Sequence, residues 1–297
     1  IPWDIKVSPN LPNPDCYLPN NGGYHDDSID IQINVTYWTQ DLQQVDAPGE
    51  GTTTVMSARV KLTDVSQFRT GFANKYPSKQ ARHVNDMTKR FNAVMGIDGD
   101  YCLYHEQGIV VRNGQTLRMR PHKGRDELIV DENGDFHLIT RTTQAKWDEY
   151  IAGGGTVLHA FCFGPVLVVD GVPLTSLDDV TIDNGKAKKA QRMVIGQIGK
   201  LEYLILTNEG PESTAPKSVG FDLVQMANLC VQFGLNNAYN LDGGSSSTIA
   251  LNNQKINSPS SHKNRMVGDC IWFATLVKEE TWREKESVQT VEVEENK

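Results

Sequence analysis

The stretch Asn240-Leu241-Asp242-Gly243-Gly244-Ser245-Ser246-Ser247-Thr248 marks the end of a strand and anchors the interpretation of the fold. An apolar strand, Ala238 to Leu241, runs into an acidic residue, two glycines and a run of hydroxyls. Paired glycines adopt backbone conformations that other residues avoid, so successive N–H groups can converge on an anion as a nest. The pattern therefore predicts Asp242 at a strand end beside an anion site. A plain β-turn is the alternative, and the spacing of a nucleotide-binding P-loop is absent.

A second strand-to-loop transition occurs in Gly96-Ile97-Asp98-Gly99-Asp100-Tyr101. Two carboxylates brought together are the minimal apparatus for cleaving a glycosidic bond. The same oxygens can also bind a hard cation. A simple turn is the third interpretation, and spacing alone does not choose among the three.

Two arginines at the starts of strands are candidates for binding an anion. Arg192 follows Lys188 and Lys189 and leads an apolar strand, so its guanidinium can give paired donors to a phosphate. A solvated surface charge is the alternative. Arg265 poses the same question more weakly, as do Arg112 and Arg118.

The rest of the chain predicts an α+β fold, with a largely antiparallel sheet core and a few packed helices. Strand-like runs bounded by turn signals dominate, and Asn113-Gly114 is a strong hairpin signal. Helices are predicted from Ser78 to Asn92, from Thr143 to Ile151 and from Phe221 to Phe233. We expect residues 1–92 to be an N-terminal add-on of unknown role, 93–277 the main domain, and 278–297 a charged tail.

The composition limits the classes of partner that the chain can bind. The 297 residues carry a net charge of −8, with 38% hydrophobic and 22% charged residues. This is the composition of a globular protein, and no apolar run approaches the roughly 18–20 residues that span a bilayer. The acidic balance argues against nucleic acid, because backbone phosphates need clustered Lys and Arg. It does not exclude a small anionic substrate, which needs only a local positive site.

The cysteines and the first residue bear on the compartment. The five cysteines form no CxxC pair, and four lie in apolar stretches, which favours buried side chains over a disulfide framework. The chain begins at Ile1 rather than Met. We therefore expect that an upstream export segment was removed, and that the protein is extracytoplasmic: secreted, periplasmic or at the cell surface.

At these motifs the chain resembles the phosphodiester glycosidase family, which includes the catalytic domain of the mannose 6-phosphate uncovering enzyme and bacterial relatives. The strongest match is Ala238 to Ser247, and the resemblance extends in order from about Ala93 to Phe273. The other matching stretches are Gly99-Asp100-Tyr101, Phe163 to Leu167, Arg192 to Gly196, Ser218-Val219-Gly220, and Arg265 before the last strand.

The resemblance implies hydrolysis of a sugar joined through C1 to a phosphodiester, giving free sugar and a phosphomonoester. It implies Asp242, Asp100 and Arg192 as catalytic residues, without deciding which carboxylate attacks or activates water. It implies no required cofactor and a small or polymeric glycosyl phosphodiester as substrate. The implied substrate- and phosphate-binding residues are Tyr101, Asn240, Gly243, Gly244, Ser245, Ser246 and Arg265.

Two alternatives remain open. Ser245 stands where the family usually has a third glycine, and Met193 where it commonly has threonine. These departures leave room for a secreted, non-catalytic carbohydrate-binding protein on the same fold. The other alternative is a metal-dependent phosphodiesterase that cuts the P–O bond, with a divalent cation held by Asp98, Asp100 and Asp242.

Overall fold

The computed structural model describes residues 7–178, 188–211, 217–258 and 264–283, and the fold within them is built mainly from antiparallel strands. Part of the charged tail, residues 284–297, lies outside the described residues. The strands in chain order are β1 (Tyr17–Leu18), β2 (Gly23–His25), β3 (Ile29–Trp38), β4 (Gln44–Val45), β5 (Thr53–Leu62), β6 (Phe68–Phe72), β7 (Met95–Asp98), β8 (Gly108–Arg112), β9 (Gln115–Arg120), β10 (Glu127–Val130), β11 (Phe136–Ile139), β12 (His159–Phe161), β13 (Val166–Val169), β14 (Val172–Pro173), β15 (Arg192–Gly199), β16 (Glu202–Asn208), β17 (Asn237–Asn240), β18 (Ile249–Leu251), β19 (Gln254–Lys255) and β20 (Asp269–Phe273). The helices are α1 (Val84–Phe91), α2 (Gln144–Ala152) and α3 (Leu223–Gln232).

These strands form three sheets. The largest has the order β1-β2-β3-β5-β16-β15-β17-β13-β14, with β4 paired to β3. The other two have the orders β11-β10-β12-β8-β9 and β19-β18-β7-β20-β6. One apolar cluster joins residues of all three sheets, including Ile31, Leu128, Met193 and Ile271. The predicted α+β class with a largely antiparallel core is confirmed.

Two long strands of the N-terminal region, β3 and β5, belong to the largest sheet. Strand β5 pairs with β16 along its length, from Val55 opposite Asn208 to Lys61 opposite Glu202. Strands β3 and β5 thus extend the sheet that also contains β15 and β17. The reason is visible in the pattern of β5, whose alternate residues are buried against the shared core. Strands β3 and β5 therefore share the large sheet with the main domain, while the boundary at residue 92 and the role of residues 1–92 stay predictions.

One helix begins later than its sequence indicates. The predicted helix from Ser78 appears only as α1, starting at Val84. Before it, the chain is extended, because Arg82 and Val267 exchange both backbone hydrogen bonds at 3.0 and 2.8 Å. This bridge ties the segment before α1 to the segment that leads into β20.

Other local predictions are confirmed. Asn113 and Gly114 both have positive φ, as a tight hairpin turn between β8 and β9 requires. Cys102, Cys162, Cys230 and Cys270 are buried free thiols. No helix among the described residues is long and apolar enough to cross a membrane.

Candidate active site

The turn that follows β17 lies beside the end of β7. The Leu241 N–H donates to the Met193 carbonyl at 2.8 Å, which continues the pairing of β17 with β15. The Asp242 N–H then donates to the Gly99 carbonyl at 3.1 Å. The two strand ends singled out in the sequence are therefore held together by a direct backbone hydrogen bond.

Asp242 carries a carboxylate that is nearly buried, with 9% of the residue exposed. The Gly243 N–H donates to its Oδ1 at 2.9 Å. Burial raises the pKa of Asp242 to about 6, and the Asp100 charge adds to the rise. Ser246, Arg265 and the Gly243 N–H act in the opposite direction. Asp242 can thus change its protonation state near neutral pH.

The glycine turn differs from the predicted nest. It forms a short 3₁₀ turn over Gly244–Ser246. Its N–H groups are used internally, since Gly244 donates to the Gln191 carbonyl at 3.0 Å and Ser246 to the Gly243 carbonyl at 3.2 Å. With the Gly243 N–H on Asp242, the set does not converge on an anion. Ser245 is the half-buried middle residue of this turn.

Gly243 and Gly244 are each required to be glycine, but for different structural reasons. A Cβ on Gly243 would lie 2.9 Å from the Gln191 carbonyl oxygen, so the residue permits close approach of two backbones. Gly244 has φ of +61° and open space around the position of a Cβ. Gly244 therefore presents bare backbone to solvent beside Asp242.

Asp100 is fully buried and its oxygens are engaged. Oδ1 accepts from the Cys102 N–H at 3.2 Å and from Arg112 Nη2 at 3.0 Å, and Oδ2 accepts from the Cys162 N–H at 2.9 Å. Burial opposes ionisation, but Arg112 and these N–H groups hold the pKa of Asp100 below its usual range. Asp100 is an ionised carboxylate enclosed by protein donors.

Arg112 bridges Asp100 to a second carboxylate that the sequence analysis missed, Asp269. Arg112 Nη2 lies 3.1 Å from Asp269 Oδ2, and the same oxygen accepts the Asp100 N–H at 3.3 Å. Burial and the Asp100 charge raise the pKa of Asp269 to about 7. The guanidinium also lies 4.4 Å from the centre of the Phe161 ring. Asp100, Arg112 and Asp269 form a buried trio, and its hydrogen bonds fix the backbone of residues 99–102, which includes Tyr101 and the contact with Asp242.

The trio also bears on a bound cation. Among the described residues, Asp100, Cys102 and Asp269 bring three ligand atoms within 4.8 Å of one another. Arg112 Nη2 contacts the same three side chains, the sulfur at 3.8 Å. A guanidinium thus holds the place that a cation would take.

Asp98 lies behind the turn. It is fully buried, and its Oδ1 accepts the Thr248 N–H at 2.8 Å. Burial, followed by the Asp242 charge, raises its pKa well above the usual range. The set of three carboxylates considered for a metal therefore splits: Asp100 is bound to Arg112, and Asp98 favours its neutral form.

Tyr101 and Arg265 form the mouth of the site together with Tyr104. The rings of Tyr101 and Tyr104 stack with centres 4.5 Å apart. The exposed Arg265 guanidinium lies 5.8 Å from the centre of the Tyr101 ring. The Arg265 charge also lowers the pKa of Asp242, so the cation lies close enough to act on the carboxylate.

Arg192 and Asn240 are placed differently from the expectation. The Arg192 backbone lies beside Gly243, but its guanidinium donates to the carbonyls of Phe221 and Lys188, at 3.3 and 2.6 Å. Burial lowers its pKa to about 10, against the influence of Asp222. Asn240 is buried, and its amide donates to the Gly164 carbonyl at 2.9 Å. Both side chains therefore bind the protein's own backbone.

A family model described as phosphodiester glycosidase matches residues 91–274. The chain belongs to the phosphodiester glycosidase family. No curated protein matches the chain closely enough to add to this.

Three solved structures share the fold of this chain at low sequence identity. The zebrafish N-acetylglucosamine-1-phosphodiester α-N-acetylglucosaminidase catalytic domain, auto-inhibited by its pro-peptide, is 14% identical, with a TM-score of 0.63 and 86% of each chain covered. A hypothetical protein from Synechocystis is 12% identical, with a TM-score of 0.53 over 83% of this chain and 62% of that one. A putative exported protein from Burkholderia pseudomallei is 16% identical, with a TM-score of 0.52 over 77% and 75%. The predicted resemblance is confirmed, and the fold is that of the uncovering-enzyme catalytic domain.

Proposed function

We propose that the protein hydrolyses a glycosyl phosphodiester, releasing the free sugar and a phosphomonoester. The observation that carries the proposal is the mouth of the site, where the charge of the exposed Arg265, which lies over the Tyr101 ring, acts on a nearly buried Asp242 whose pKa is about 6. The open backbone of Gly244 follows Asp242 in the same turn. Family membership supports the reaction class.

The charges of the mouth fit a phosphodiester. A phosphodiester carries one negative charge, and Arg265 supplies a positive group for it. The leaving group is a phosphate whose second pKa is about 6, so it departs with little protonation. Stabilising negative charge on the departing phosphate therefore matters more than a strong general acid. We assign this role to Arg265, with Arg192 supporting the adjacent backbone.

Asp242 is the carboxylate that we assign to the chemistry. It acts in its ionised form, either attacking C1 or taking a proton from water. Asp100 is enclosed by Arg112 and backbone donors, so we assign it a positioning role. Tyr101 and Tyr104 supply a flat surface on which a sugar ring can rest, and Asn240 holds the loop before β13.

We expect kcat/KM to rise with pH through about 6 and to level off above it. The reason is that the ionised form of Asp242 is the active one, and burial places its pKa at about 6. Below that pH the rate should fall about tenfold per unit. Initial rates over pH 4 to 8 measure this, and a rate that falls through pH 6 instead would make Asp242 a general acid.

Replacing Arg265 by Ala should raise KM and shift the rise of kcat/KM with pH to a higher pH. Arg265 attracts the substrate phosphate and lowers the pKa of Asp242, so both effects follow from one lost charge. We expect roughly a tenfold increase in KM, the scale of one charge-assisted contact. Arg265→Lys retains the charge and should keep the pH of that rise unchanged. An unchanged KM and pH profile in Arg265→Ala would remove Arg265 from the site.

Product analysis on a small panel of sugar-1-phosphodiesters, with and without EDTA, tests the proposal. Free sugar and phosphomonoester, formed equally in both conditions, is the expected result. Sugar phosphate formed only without EDTA would instead identify a metal-dependent phosphodiesterase. Tight binding with no product would identify the non-catalytic carbohydrate-binding alternative.

A further inference from the structure

Exposed cations are concentrated beside the mouth of the site, although the chain as a whole is acidic. We call Lys79, Arg82, Arg90 and Arg265 the basic ridge. All four are exposed. None of them forms a salt bridge with a described carboxylate. One acid, the exposed Asp86, lies in the same stretch of chain.

Shared neighbours connect the members of the basic ridge. The Tyr104 hydroxyl donates to the Lys79 carbonyl at 3.1 Å, so Lys79 adjoins the stacked tyrosines. Arg82 pairs through its backbone with Val267, two residues after Arg265. Arg82 Nε and Arg90 Nη1 both donate to the Ala73 carbonyl, at 3.1 and 3.3 Å. The ridge therefore runs outward from the mouth, from Arg265 past the tyrosines to Arg90.

Such a ridge exceeds what a single phosphodiester needs. Arg265 acts on Asp242 through its charge, and one such cation suffices for the phosphate at the bond being cut. Of the other three cations, Lys79 adjoins Tyr104, while Arg82 lies just before α1 and Arg90 near its end, and both arginines contact the Ala73 carbonyl. Like charges held together at an exposed surface repel one another, and an anionic ligand relieves that repulsion.

We infer that the basic ridge binds further phosphates of a polymeric substrate, a chain in which sugars are joined through phosphodiesters. The inference rests on the proposed function and names its substrate class. A polymer with one phosphodiester against Arg265 carries its next phosphates along the ridge. Binding several phosphates releases condensed counterions, so the affinity depends steeply on salt.

A pair of charge-reversed variants tests the inference. The ridge variant is Lys79→Glu/Arg90→Glu, which leaves Arg265 and Arg82 in place. The matched control is Lys61→Glu/Lys200→Glu, with the same change in net charge. Lys61 and Lys200 are exposed at the opposite end of the large sheet, where β5 faces the start of β16, about 20 Å along the strand from Asn208. Both variants are compared with the wild-type chain on two substrates.

The two substrates are a chromogenic sugar-1-phosphodiester and an oligomer of the same sugar joined by phosphodiesters. We expect the ridge variant to raise KM for the oligomer about tenfold and to weaken its salt dependence, while the small substrate is turned over normally. The control variant should match the wild type on both. Equal oligomer KM in all three proteins would overturn the inference, as would an equal loss in the control.

Direct binding measurements distinguish two further outcomes: failure of the proposed function, and binding of the ridge to a membrane. If the chromogenic substrate is not hydrolysed at all, the proposed function fails, and oligomer binding measured by titration still decides whether the ridge recognises the polymer. Binding to vesicles that contain anionic lipid is measured in parallel, because a membrane is the other anionic surface that the ridge could bind. Loss of vesicle binding in the ridge variant, with unchanged oligomer binding, would assign the ridge to a membrane and overturn the inference.

Discussion

Replacing Asp242 by Asn should lower kcat at least about a hundredfold while the protein stays folded. General acid–base groups contribute about 10²–10⁴ to the rate, and a nucleophile contributes as much or more. Asn keeps the shape of the side chain, so its Oδ1 still accepts the Gly243 N–H. Burial opposes the charge of Asp242, so its removal does not lower the free energy of unfolding. Turnover assays and thermal unfolding on the same preparation measure both effects.

Asp170→Asn is the matched control for that variant. Asp170 also follows a strand of the large sheet, is exposed, and has φ of 49°, a conformation that Asn tolerates well. Its replacement changes the charge equally and should leave kcat and KM at wild-type values. Wild-type turnover in Asp242→Asn would show that another group performs the chemistry.

Arg112→Met should lower the free energy of unfolding by about 3–5 kcal/mol. The change fills a similar volume but leaves Asp100 and Asp269 without the buried cation that binds both at 3.0 and 3.1 Å. Asp100 should then take up a proton, and the backbone at residues 99–102 loses its support. Urea unfolding measures the loss, and kcat on the chromogenic substrate should fall with it.

The whole trio provides the control for this prediction. Arg112→Met/Asp100→Asn/Asp269→Asn removes the two negative charges together with the positive one. Replacing a complete buried ion cluster is often neutral for stability, so most of the lost free energy should return. A loss below about 1 kcal/mol in Arg112→Met alone would show that the trio does not hold the fold here.

The residues at the mouth could be predicted from sequence because they sit at local signals. Asp242 lies in a strand that runs into paired glycines, and Asp100 and Tyr101 follow a short apolar run. Ile29, Ile31, Ile33, Val35 and Tyr37 alternate with mostly polar neighbours, which likewise predicts a strand, and β3 spans Ile29–Trp38. What these signals share is that a few neighbouring residues determine them.

The trio and the roles within it depend on contacts between distant parts of the chain. Asp269 lies 169 residues from Asp100, and no local spacing links the two. The sequence did contain a weaker signal. Arg112 ends one apolar strand and Asp269 begins another. A charged side chain in such a position is buried only with a partner of opposite charge, so each residue indicates that a partner exists without naming it. The glycine nest failed for a similar reason: Gln191, far along the chain, takes the Gly244 N–H.

Hydrolysis in ¹⁸O-labelled water tests most directly which bond the protein cleaves. A sugar-1-phosphodiester is turned over completely, and both products are examined by mass spectrometry. If Asp242 directs attack at C1, the label enters the anomeric hydroxyl of the released sugar, and the phosphomonoester carries none. Label in the phosphate would mean that the P–O bond is cut, and would contradict the assignment of this site to glycosidic cleavage.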